Sequence, residues 1–375
     1  MFFMKKQDLQ TPAIIVDIDT LKNNIKLYQE EANKYGKEIW PMIKTHKSTE
    51  VTKMQIDAGA TGILCGTLDE VEAVAQAGID KIMYAYPVAS RQSIERVINV
   101  TKERDLIIRI DDLSAAKLID EAALEAGITI SYTIIINAGL GRFGIEPKDA
   151  VKFADSLKEL KGLKLRGIST HPGHVYSATK GEEVEQYVKA EKETLKIAAD
   201  ALRDAGYELE YITSGATPTF WGSIDDENIQ IYHPGNYVFL DVIQMSLDIA
   251  KEEDCALTVL ATIVSNPREG ILITDAGTKC LGLDQGAHGN SSIKGYGRVK
   301  GHPEILVASL SEEVGKLYYE GETTLKVGDK IEIIPNHACS SANFTDYLIT
   351  TSKDEVVGAI NVDMRGNRTL KNVVL

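Results

Sequence analysis

The sequence has no long apolar run, few cysteines and fewer positive than negative charges. No segment approaches the roughly 20 apolar residues of a membrane-spanning helix, and the first residues lack the long apolar region of a secretion signal. The formal net charge of −14 disfavours nucleic acid and anionic membrane surfaces, because both are themselves negative. We therefore expect neither a nucleic acid nor a membrane as a partner.

The few cysteines also argue against a secreted protein that is stabilised by disulfides. Their spacing shows no pairs: Cys65, Cys255, Cys280 and Cys339. Such cysteines are typical of reduced thiols, so we expect a cytoplasmic location. At 375 residues the chain is too long for most single cores, and two domains are expected.

Short apolar strands and amphipathic helices alternate from residue 40 to residue 232. Apolar residues at helical spacing, with a glycine just past the end, predict helices such as 68–77 and 184–205. Strands such as 81–86 and 106–110 are predicted between the helices. About eight such units require a parallel sheet covered by helices, and this number favours a closed barrel over an open sheet. The first predicted strand is not followed by a GxGxxG motif, which disfavours a dinucleotide-binding fold.

The pattern changes from about residue 241, where short β-rich segments separated by turns replace the alternation. We therefore predict an α/β fold, with a (β/α)8 TIM-type barrel over residues 10–245 and an all-β domain over residues 246–375. Residues 11–17 form an apolar segment that needs a sheet to pair with, so residues 1–17 are a candidate further part of the β domain. The strands predicted in that domain are 257–264, 270–274, 292–299, 331–335 and 355–361.

Residues 40–48 form an apolar stretch that ends in a cluster of cations, and this pattern predicts a strand. Lys44 follows two apolar residues, so its stem can lie among apolar side chains. Burial disfavours the charged form of an amine, and a neutral amine is what Schiff-base chemistry with an aldehyde needs. The alternative is that Lys44, His46 and Lys47 only cap a strand at the surface.

Two loops late in the predicted barrel carry small and hydroxylated residues that can bind a phosphate. The first contains Ser214 and Gly215, and the second contains Gly235, Asn236 and Tyr237. Backbone N–H groups in such loops bind phosphate, and the loops after strands seven and eight are the usual phosphate site of this barrel. Each loop alone is a weak signal, because glycine turns are common. Both loops together with a candidate Schiff-base lysine are a more specific one.

His337 and Cys339 form a candidate metal site in the second domain. Residues two apart point to the same side of an extended segment, and both side chains are good ligands for a borderline-soft ion such as zinc. Two protein ligands would leave open positions, as a catalytic metal requires. The alternative is a buried histidine and a buried thiol within a β core.

Further candidates follow the fifth and sixth predicted barrel strands. His171 and His174 follow the sixth strand, and either imidazole could act as an acid, a base or a substrate contact. The alternative for the histidines is that they only hold loops together. Arg142 follows the fifth strand and could bind an anionic oxygen of a cofactor or substrate. The alternative for Arg142 is a salt bridge at the entry of a helix.

The motifs occur together and in a fixed order along the chain. They are Thr11-Pro12-Ala13, Lys44-Thr45-His46-Lys47, Ala85-Tyr86-Pro87, Gly173-His174, Ser214-Gly215, Pro234-Gly235-Asn236-Tyr237 and Asn336-His337-Ala338-Cys339. In this order the sequence resembles the fold-type III pyridoxal-phosphate enzymes of the D-serine dehydratase and D-threonine aldolase group, which are relatives of alanine racemase. The resemblance covers almost the whole chain and implies an N-terminal barrel with a C-terminal β domain.

The resemblance also assigns roles to individual residues. Lys44 matches the lysine that binds the cofactor covalently, and Arg142 matches an arginine near the phenolic oxygen of the cofactor. His337 and Cys339 match the divalent metal site, where His-x-Cys is typical of zinc-dependent D-serine dehydratases and His-x-Asp of well-known bacterial D-threonine aldolases. Asn137 departs from the aspartate that related barrels often carry. The residues that match the loops around the phosphate are Ser214, Gly215, Gly235, Asn236 and Tyr237.

The implied function is that of a pyridoxal-phosphate- and divalent-metal-dependent lyase acting on β-hydroxy-D-amino acids. Dehydration of D-serine to pyruvate and ammonia is the expected reaction, with D-threonine aldol cleavage and D-threo-3-hydroxyaspartate dehydration as alternatives. Lys44 and His174 are the candidate catalytic groups. The expected metal is zinc, with manganese or magnesium as alternatives, and the resemblance also implies a homodimer. A metal-free amino-acid racemase and a single-barrel cofactor carrier are other classes, and the second domain with its His-x-Cys pair disfavours the carrier.

Overall fold

The computed structural model describes residues 4–285 and 292–366, and its strands form two sheets. The chain begins with strand β1 (Ala13–Asp17) and helix α1 (Ile18–Lys34). The strands of the first sheet are β2 (Glu38–Ile39), β3 (Ile63–Cys65), β4 (Lys81–Tyr84), β5 (Asp105–Ile110), β6 (Ile130–Ile135), β7 (Leu163–Ser169), β8 (Tyr211–Ser214) and β9 (Ile231–Tyr232). The helices between and directly after them are α2 (Thr49–Asp57), α3 (Leu68–Gln76), α4 (Arg91–Thr101), α5 (Leu113–Glu125), α6 (Ala150–Leu157), α7 (Val184–Asp204), α8 (Phe220–Ser223) and α9 (Val242–Ser246).

The first sheet forms a parallel barrel, as the alternating pattern predicts. Its strand order is β2-β9-β8-β7-β6-β5-β4-β3, and its pairings are parallel. The two ends of this order meet through a parallel bridge between Met42 and Leu64, next to β2 and β3. The predicted (β/α)8 barrel is therefore confirmed.

Two sets of apolar side chains alternate along the barrel strands. Ile63, Ile82 and Ile108 belong to a cluster that also contains helix residues such as Val71 and Val97. The other set comes from strands and strand ends and consists of Trp40, Met42, Leu64, Met83, Ala85, Ile107, Tyr211 and Ile231. Because successive side chains of a strand point to opposite faces, the first set packs against the helices and the second fills the inside of the barrel.

Local capping determines where several barrel helices begin. The side chains of Ser48, Thr67, Ser90 and Asp112 each accept a hydrogen bond from a backbone N–H in the first turn of the following helix. These bonds satisfy donors that helix geometry leaves without a partner. The caps therefore fix the loops that lead from each strand to its helix, at the rim of the barrel.

The second sheet has nine strands and contains β1. Its other strands are β10 (Leu257–Arg268), β11 (Ile271–Thr274), β12 (Arg298–Val299), β13 (Leu306–Leu310), β14 (Gly315–Tyr318), β15 (Lys330–Ile334), β16 (Tyr347–Ser352) and β17 (Glu355–Asn361), with short helices α10 (Thr278–Leu281) and α11 (Ala338–Ala342) between them. The strand order is β11-β14-β13-β12-β15-β10-β1-β16-β17. β1 runs antiparallel to β10 and parallel to β16. The proposed domain boundaries themselves stay predictions.

Some segments differ from the prediction. Residues 40–48 do not form a strand, because β2 ends at Ile39 and Pro41 has no N–H to continue a ladder. The predicted strand 292–299 is reduced to β12. Strands β13, β14 and β16 were not predicted, and their side chains are only partly buried, which weakens the apolar signal that marks a strand.

The structure bears on the expected reduced cysteines and on the expected absence of membrane-spanning helices. All four cysteines are free thiols. Across residues 4–285 and 292–366, none of the helices combines the length and the apolar character that crossing a membrane requires.

Trp40 offers a test of the barrel interior. It is fully buried, and its indole N–H donates to Thr61 Oγ1 at 3.0 Å. We expect Trp40→Ala to lower the free energy of unfolding by about 3–5 kcal/mol, because the truncation leaves a large cavity. Chemical denaturation followed by circular dichroism measures this loss. Trp221→Ala is the matched control, since Trp221 is 42% exposed, and equal losses in the two variants would contradict the core position of Trp40.

Candidate active site

A cavity of about 600 Å³ lies where the loops after the barrel strands meet α11 of the second sheet. The described lining contains four cationic side chains and two carboxyl groups, namely Lys44, Lys47, Arg109 and Arg142 against Glu70 and Asp241. In a chain with a net charge of −14, this local excess of cations favours an anionic ligand.

Lys44 lies in the 3-10 turn Ile43–Thr45, shortly after β2. Its stem packs against Gly66, where a Cβ would come within 3.0 Å of the Lys44 Cβ. Its amine lies at the cavity wall, 3.3 Å from the Tyr86 hydroxyl. The packed stem and the accessible amine suit the covalent role predicted for Lys44, which stays a prediction.

His46 and Lys47 are buried, so the alternative reading of this cluster as a surface cap is wrong. Lys47 is 8% exposed, and its ammonium lies 2.8 Å from Glu70 Oε1. The other oxygen of Glu70 accepts the N–H of Gly66 at 2.6 Å. A buried ion pair needs additional hydrogen bonds to offset its lost hydration. The ion pair and the hydrogen bond of Glu70 thus connect the lysine turn (residues 43–45) and the adjacent Lys47 to the loop after β3.

His46 connects the lysine turn to the second glycine loop. Its Nδ1 accepts the N–H of Ser48 at 3.1 Å, so Nε2 carries the proton and donates to Gln55 Oε1 at 3.2 Å. Gln55 in turn donates to the Tyr237 hydroxyl at 2.9 Å. Burial lowers the pKa of His46 to about 3. The imidazole is therefore neutral near pH 7 and has a fixed tautomer.

The two glycine loops present free backbone donors to the cavity. Gly215, Ala216, Gly235 and Asn236 line it, and their N–H groups donate none of the hydrogen bonds found in the described chain. Unpaired N–H groups in a cationic cavity are suited to binding a phosphate. The three predicted residues Gly215, Gly235 and Asn236 are thus brought together at one wall.

Ser214 and Tyr237, which were predicted for the same site, do not line the described cavity. The Ser214 hydroxyl donates to the buried carboxyl group of Glu191 on α7. The Tyr237 N–H donates to Thr217 Oγ1 at 3.2 Å. These contacts hold the two loops, so any role of Ser214 and Tyr237 toward a ligand stays a prediction.

Arg142 lies at the mouth of the cavity. Its guanidinium carbon is 5.6 Å from the centre of the Tyr86 ring. Asn137 shapes the loop before it, because Asn137 Oδ1 accepts the N–H groups of Gly139 and Gly141, both at 3.0 Å. An amide thus supports this loop in place of the carboxylate expected from the resemblance. The predicted contact between Arg142 and a cofactor stays a prediction.

Of the two predicted histidines, His171 is the one that lines the described cavity. Its Nδ1 lies 2.8 Å from Gly215 O and carries the proton, since a carbonyl oxygen only accepts. Burial and the nearby Lys44 lower the pKa of His171 to about 3. His174 lies one turn further on, with its ring centre 4.9 Å from that of Tyr187. The predicted catalytic role of His174 therefore stays a prediction, and His171 is better placed to touch a ligand.

Sequence reasoning assigned no role at the site to Arg109 or His233, although both line the cavity. Arg109 is 4% exposed, and its guanidinium lies 3.3 and 3.4 Å from Met83 Sδ. Burial lowers its pKa to about 10, so it stays charged at neutral pH. His233 Nδ1 donates to Trp40 O at 2.7 Å, and its Nε2 has no hydrogen-bond partner within the described chain. A cation inside the apolar strand β5 is the sequence signal that could have revealed Arg109.

The metal candidates lie at the start of α11, so the extended segment that was predicted ends at His337, whose backbone is extended, and Cys339 is helical. His337 immediately precedes the helix, and Cys339 lies in its first turn. Both line the cavity. The Cys339 sulfur is 3.3 Å from Oγ1 of Thr45, the residue after Lys44. The lysine turn and the His-x-Cys pair are therefore neighbours, although they come from different halves of the chain.

The electrostatics of this pair suit a metal ligand set. Burial alone would raise the pKa of the Cys339 thiol, but the adjacent His337 lowers it below its usual value. His337 Nδ1 faces Asp284 Oδ1 at 3.5 Å, which leaves Nε2 for a metal. Within residues 4–285 and 292–366 there is no group of three or more His, Cys, Asp or Glu side chains that could hold a metal. A metal here would have two protein ligands and open positions.

Comparison with known proteins assigns the chain to a family. Residues 16–241 match the alanine racemase N-terminal domain, and residues 256–351 match the putative serine dehydratase domain. D-threo-3-hydroxyaspartate dehydratase of Delftia sp. (strain HT23) is 30% identical over 355 residues, which cover 90% of this chain and 93% of that enzyme. This chain belongs to the alanine racemase-like family of D-amino-acid dehydratases and aldolases. It is a lyase of that family, as the motif order predicts.

Other members of the family differ in the reaction that they are named for. D-serine dehydratase of Dictyostelium discoideum is 27% identical over 381 residues, covering 94% of this chain and 96% of that enzyme. The solved structure of D-threonine aldolase from Filomicrobium marinum has a TM-score of 0.89 at 26% identity and covers 98% of both chains. A metal-free mutant form of D-threo-3-hydroxyaspartate dehydratase has a TM-score of 0.89 at 27% identity, covering 97% of this chain and 100% of that one. The comparisons thus establish the family.

Gly215 allows a test of the first glycine loop. Its φ is +148°, and a Cβ there would lie 2.6 Å from the backbone N of His233. We expect Gly215→Ala to lower the free energy of unfolding by more than about 2 kcal/mol, because two backbone segments must separate. Gly206→Ala is the matched control, since Gly206 has a φ of +85° but no atom within 4 Å of an added Cβ. Thermal denaturation compares them, and equal stability would contradict the close approach.

Proposed function

We propose that this protein is a pyridoxal-phosphate- and divalent-metal-dependent lyase that converts D-serine to pyruvate and ammonia. The observation that carries the proposal is the closeness of the lysine turn to the His337–Cys339 pair, with Thr45 Oγ1 3.3 Å from the Cys339 sulfur. A substrate held beside Lys44 would present its β-hydroxyl to a metal on this pair. Chemistry at Cα and at Cβ would then occur in one cavity.

The residues of the cavity fit pyridoxal phosphate. The free N–H groups of the two glycine loops suit its phosphate, the Lys44 amine suits its aldehyde, and the Arg142 guanidinium suits its phenolic oxygen. When bound, this cofactor supplies an electron sink that makes the α-proton of an amino acid removable. The protein contributes the orientation of the ligand and the electrostatics around it.

A divalent metal also fits the donor set of the site. A neutral imidazole and a thiolate suit zinc better than magnesium, with manganese and magnesium as the alternatives. A Lewis acid at this position would favour departure of hydroxide from Cβ at neutral pH. The two protein ligands leave coordination positions for the substrate oxygen.

Lys44 is the group best placed to remove the α-proton. Its amine lines the cavity and lies within hydrogen-bonding distance of the Tyr86 hydroxyl. The neutral His171 keeps a lone pair on Nε2, because its Nδ1 proton is used on Gly215 O. His171 can therefore accept a hydrogen bond from a substrate, whereas His174 remains the base predicted from sequence for aldol cleavage.

The cysteine of the His-x-Cys pair supports dehydration over aldol cleavage, because the resemblance gives His-x-Cys to D-serine dehydratases and His-x-Asp to D-threonine aldolases. The similar enzymes include both dehydratases, for D-threo-3-hydroxyaspartate and D-serine, and aldolases, for 3-hydroxy-D-aspartate and D-threonine, so the support for dehydration comes from the cysteine. D-threo-3-hydroxyaspartate dehydration and D-threonine aldol cleavage are the alternative reactions. A racemase would need no metal but would need a second acid–base group on the opposite face of the cofactor. We also propose that the protein is a homodimer and that it is cytoplasmic.

A substrate assay tests the proposed reaction. The full-length protein, supplied with pyridoxal phosphate and zinc, is incubated with D-serine, D-threonine and D-threo-3-hydroxyaspartate, and keto acid and aldehyde are measured separately. We expect pyruvate from D-serine with the highest kcat/KM of the three, and no turnover of L-serine as the stereochemical control. Glycine and aldehyde as the main products would replace the dehydratase by an aldolase. Interconversion of D- and L-serine without keto acid would overturn the lyase.

Metal removal tests whether Lys44 removes the α-proton independently of a metal on the His-x-Cys pair, which would promote departure of the β-hydroxyl. We expect a chelator to reduce pyruvate release by more than about a hundredfold, because Lewis-acid stabilisation amounts to several kcal/mol. Deuterium uptake at Cα of D-serine should persist, because proton removal does not involve the metal. Cys339→Ala should behave in the same way, and Cys280→Ala, a free thiol outside the described cavity, should not. Full pyruvate release after chelation would contradict the role of the metal.

A further inference from the structure

A buried carboxyl group lies behind the first glycine loop and has no part in the proposed chemistry. Glu191 is in the second turn of α7 and is fully buried. The Ser214 hydroxyl donates to its Oε1. Its Oε2 has no hydrogen-bond partner by distance and angle within the described chain, although the nearby Thr219 hydroxyl favours the ionised form. An ionised carboxylate with so few partners would be costly in this position.

The charged and titratable groups around Glu191 offset a negative charge there only in part. Lys192, its neighbour on α7, reaches outward and pairs with Asp225 at 2.6 Å. Asp226, after α8, accepts the N–H groups of Asn228 and Ile229 and adds a further negative charge. Tyr232 on β9 is a neutral phenol that donates to Ser223 O. Burial accordingly raises the pKa of Glu191 to about 7.

Glu191 and the glycine loop lie on opposite sides of the end of β8. Ser214 is the last residue of β8 and contacts Glu191 with its side chain. The next two residues, Gly215 and Ala216, line the cavity and have free N–H groups. A phosphate on these N–H groups would be bound directly after Ser214, whose side chain contacts the Glu191 carboxyl group. Two like charges so placed disfavour each other.

We propose that Glu191 is protonated when the phosphate of the cofactor occupies the glycine loops, so that cofactor binding and proton uptake by Glu191 are coupled. Glu191 would then be a positioning residue, since it acts on the ligand through Ser214 and the loop. The inference rests on the proposed cofactor. It gives a reason why an acid, and not an apolar side chain, lies beneath the loop.

The sign of the pH dependence follows from linkage. At low pH Glu191 is protonated with and without the cofactor, and binding takes up no proton at this group. As the pH rises through the pKa of the cofactor-free protein, Glu191 ionises, and binding must then return a proton to it. Each proton taken up lowers the affinity about tenfold per pH unit. Above about pH 7, the affinity for the cofactor should therefore fall by a further tenfold per pH unit. This loss adds to any change in affinity that comes from titration of the cofactor itself.

Substitution of Glu191 by glutamine isolates this contribution, because an amide has the shape of the protonated acid but does not titrate. The full-length protein, Glu191→Gln and the control Glu193→Gln are titrated with pyridoxal phosphate between about pH 6.5 and 9. Glu193 is two residues further along α7 and is exposed. Calorimetry in two buffers of different ionisation enthalpy gives the number of protons taken up per cofactor bound.

We expect the wild-type protein and Glu193→Gln to take up close to one proton more than Glu191→Gln at about pH 8, and to lose about tenfold more affinity per pH unit. Equal proton uptake in all three proteins, with the visible band of the bound cofactor formed normally, would overturn the inference and leave the proposed cofactor intact. Failure of every protein to bind pyridoxal phosphate would overturn the proposed function and the inference together.

A measurement on the wild-type protein alone covers the case in which Glu191→Gln does not fold. The infrared difference spectrum between the cofactor-bound and cofactor-free protein at about pH 8 should gain the C=O stretching band of a neutral carboxylic acid. A purely structural role for Glu191 would not change this band. Its absence would overturn the inference.

Discussion

One buried carboxyl group, Asp241, joins the two parts of the chain on which the cavity depends. Its Oδ2 accepts the Nδ2–H of Asn236 at 2.7 Å and the N–H of Ala338 at 2.9 Å. Asn236 belongs to the second glycine loop of the barrel, and Ala338 lies between His337 and Cys339. Two hydrogen bonds to a single oxygen atom of this fully buried side chain therefore join the glycine loop to the His-x-Cys pair.

The charges of the cavity are held in fixed states around this link. His46 and His171 are kept neutral by burial, and each has its proton placed by a backbone or side-chain partner. Lys47 is neutralised by Glu70. Within the described chain, Lys44, Arg109 and Arg142 form no ion pair with a carboxylate, and three such groups in one cavity suit a ligand with separate anionic groups. The lining as a whole presents donors and cations to the ligand before it arrives, which is what electrostatic preorganisation requires.

The barrel, the lysine and the glycine loops could be predicted because each leaves a local signal in the sequence. Alternating periodicity gave the barrel, and the cluster of cations after an apolar stretch gave Lys44. Contacts between residues far apart in the sequence left no such signal. Thr45 and Cys339, whose contact places the lysine turn beside the His-x-Cys pair, are separated by 294 positions. Local reasoning also misjudged Cys339 as extended, because five residues of α11 are too few to show helical periodicity. Strands β13 and β16 were missed for the related reason that their burial alternates only weakly, whereas β14 alternates but has only four residues.

The position of β1 has a consequence for how the chain can be divided. This strand comes from the start of the sequence, but it lies between β10 and β16 of the second sheet. If the chain were cut between β9 and β10, the barrel fragment would keep β1 without its partner strands. The other fragment would lack β1, so the edges of β10 and β16 that pair with it would be unpaired. The two sheets are thus not separable units along the sequence. Stand-alone versions of each would require a circular permutation that carries β1 to the far side of the cut.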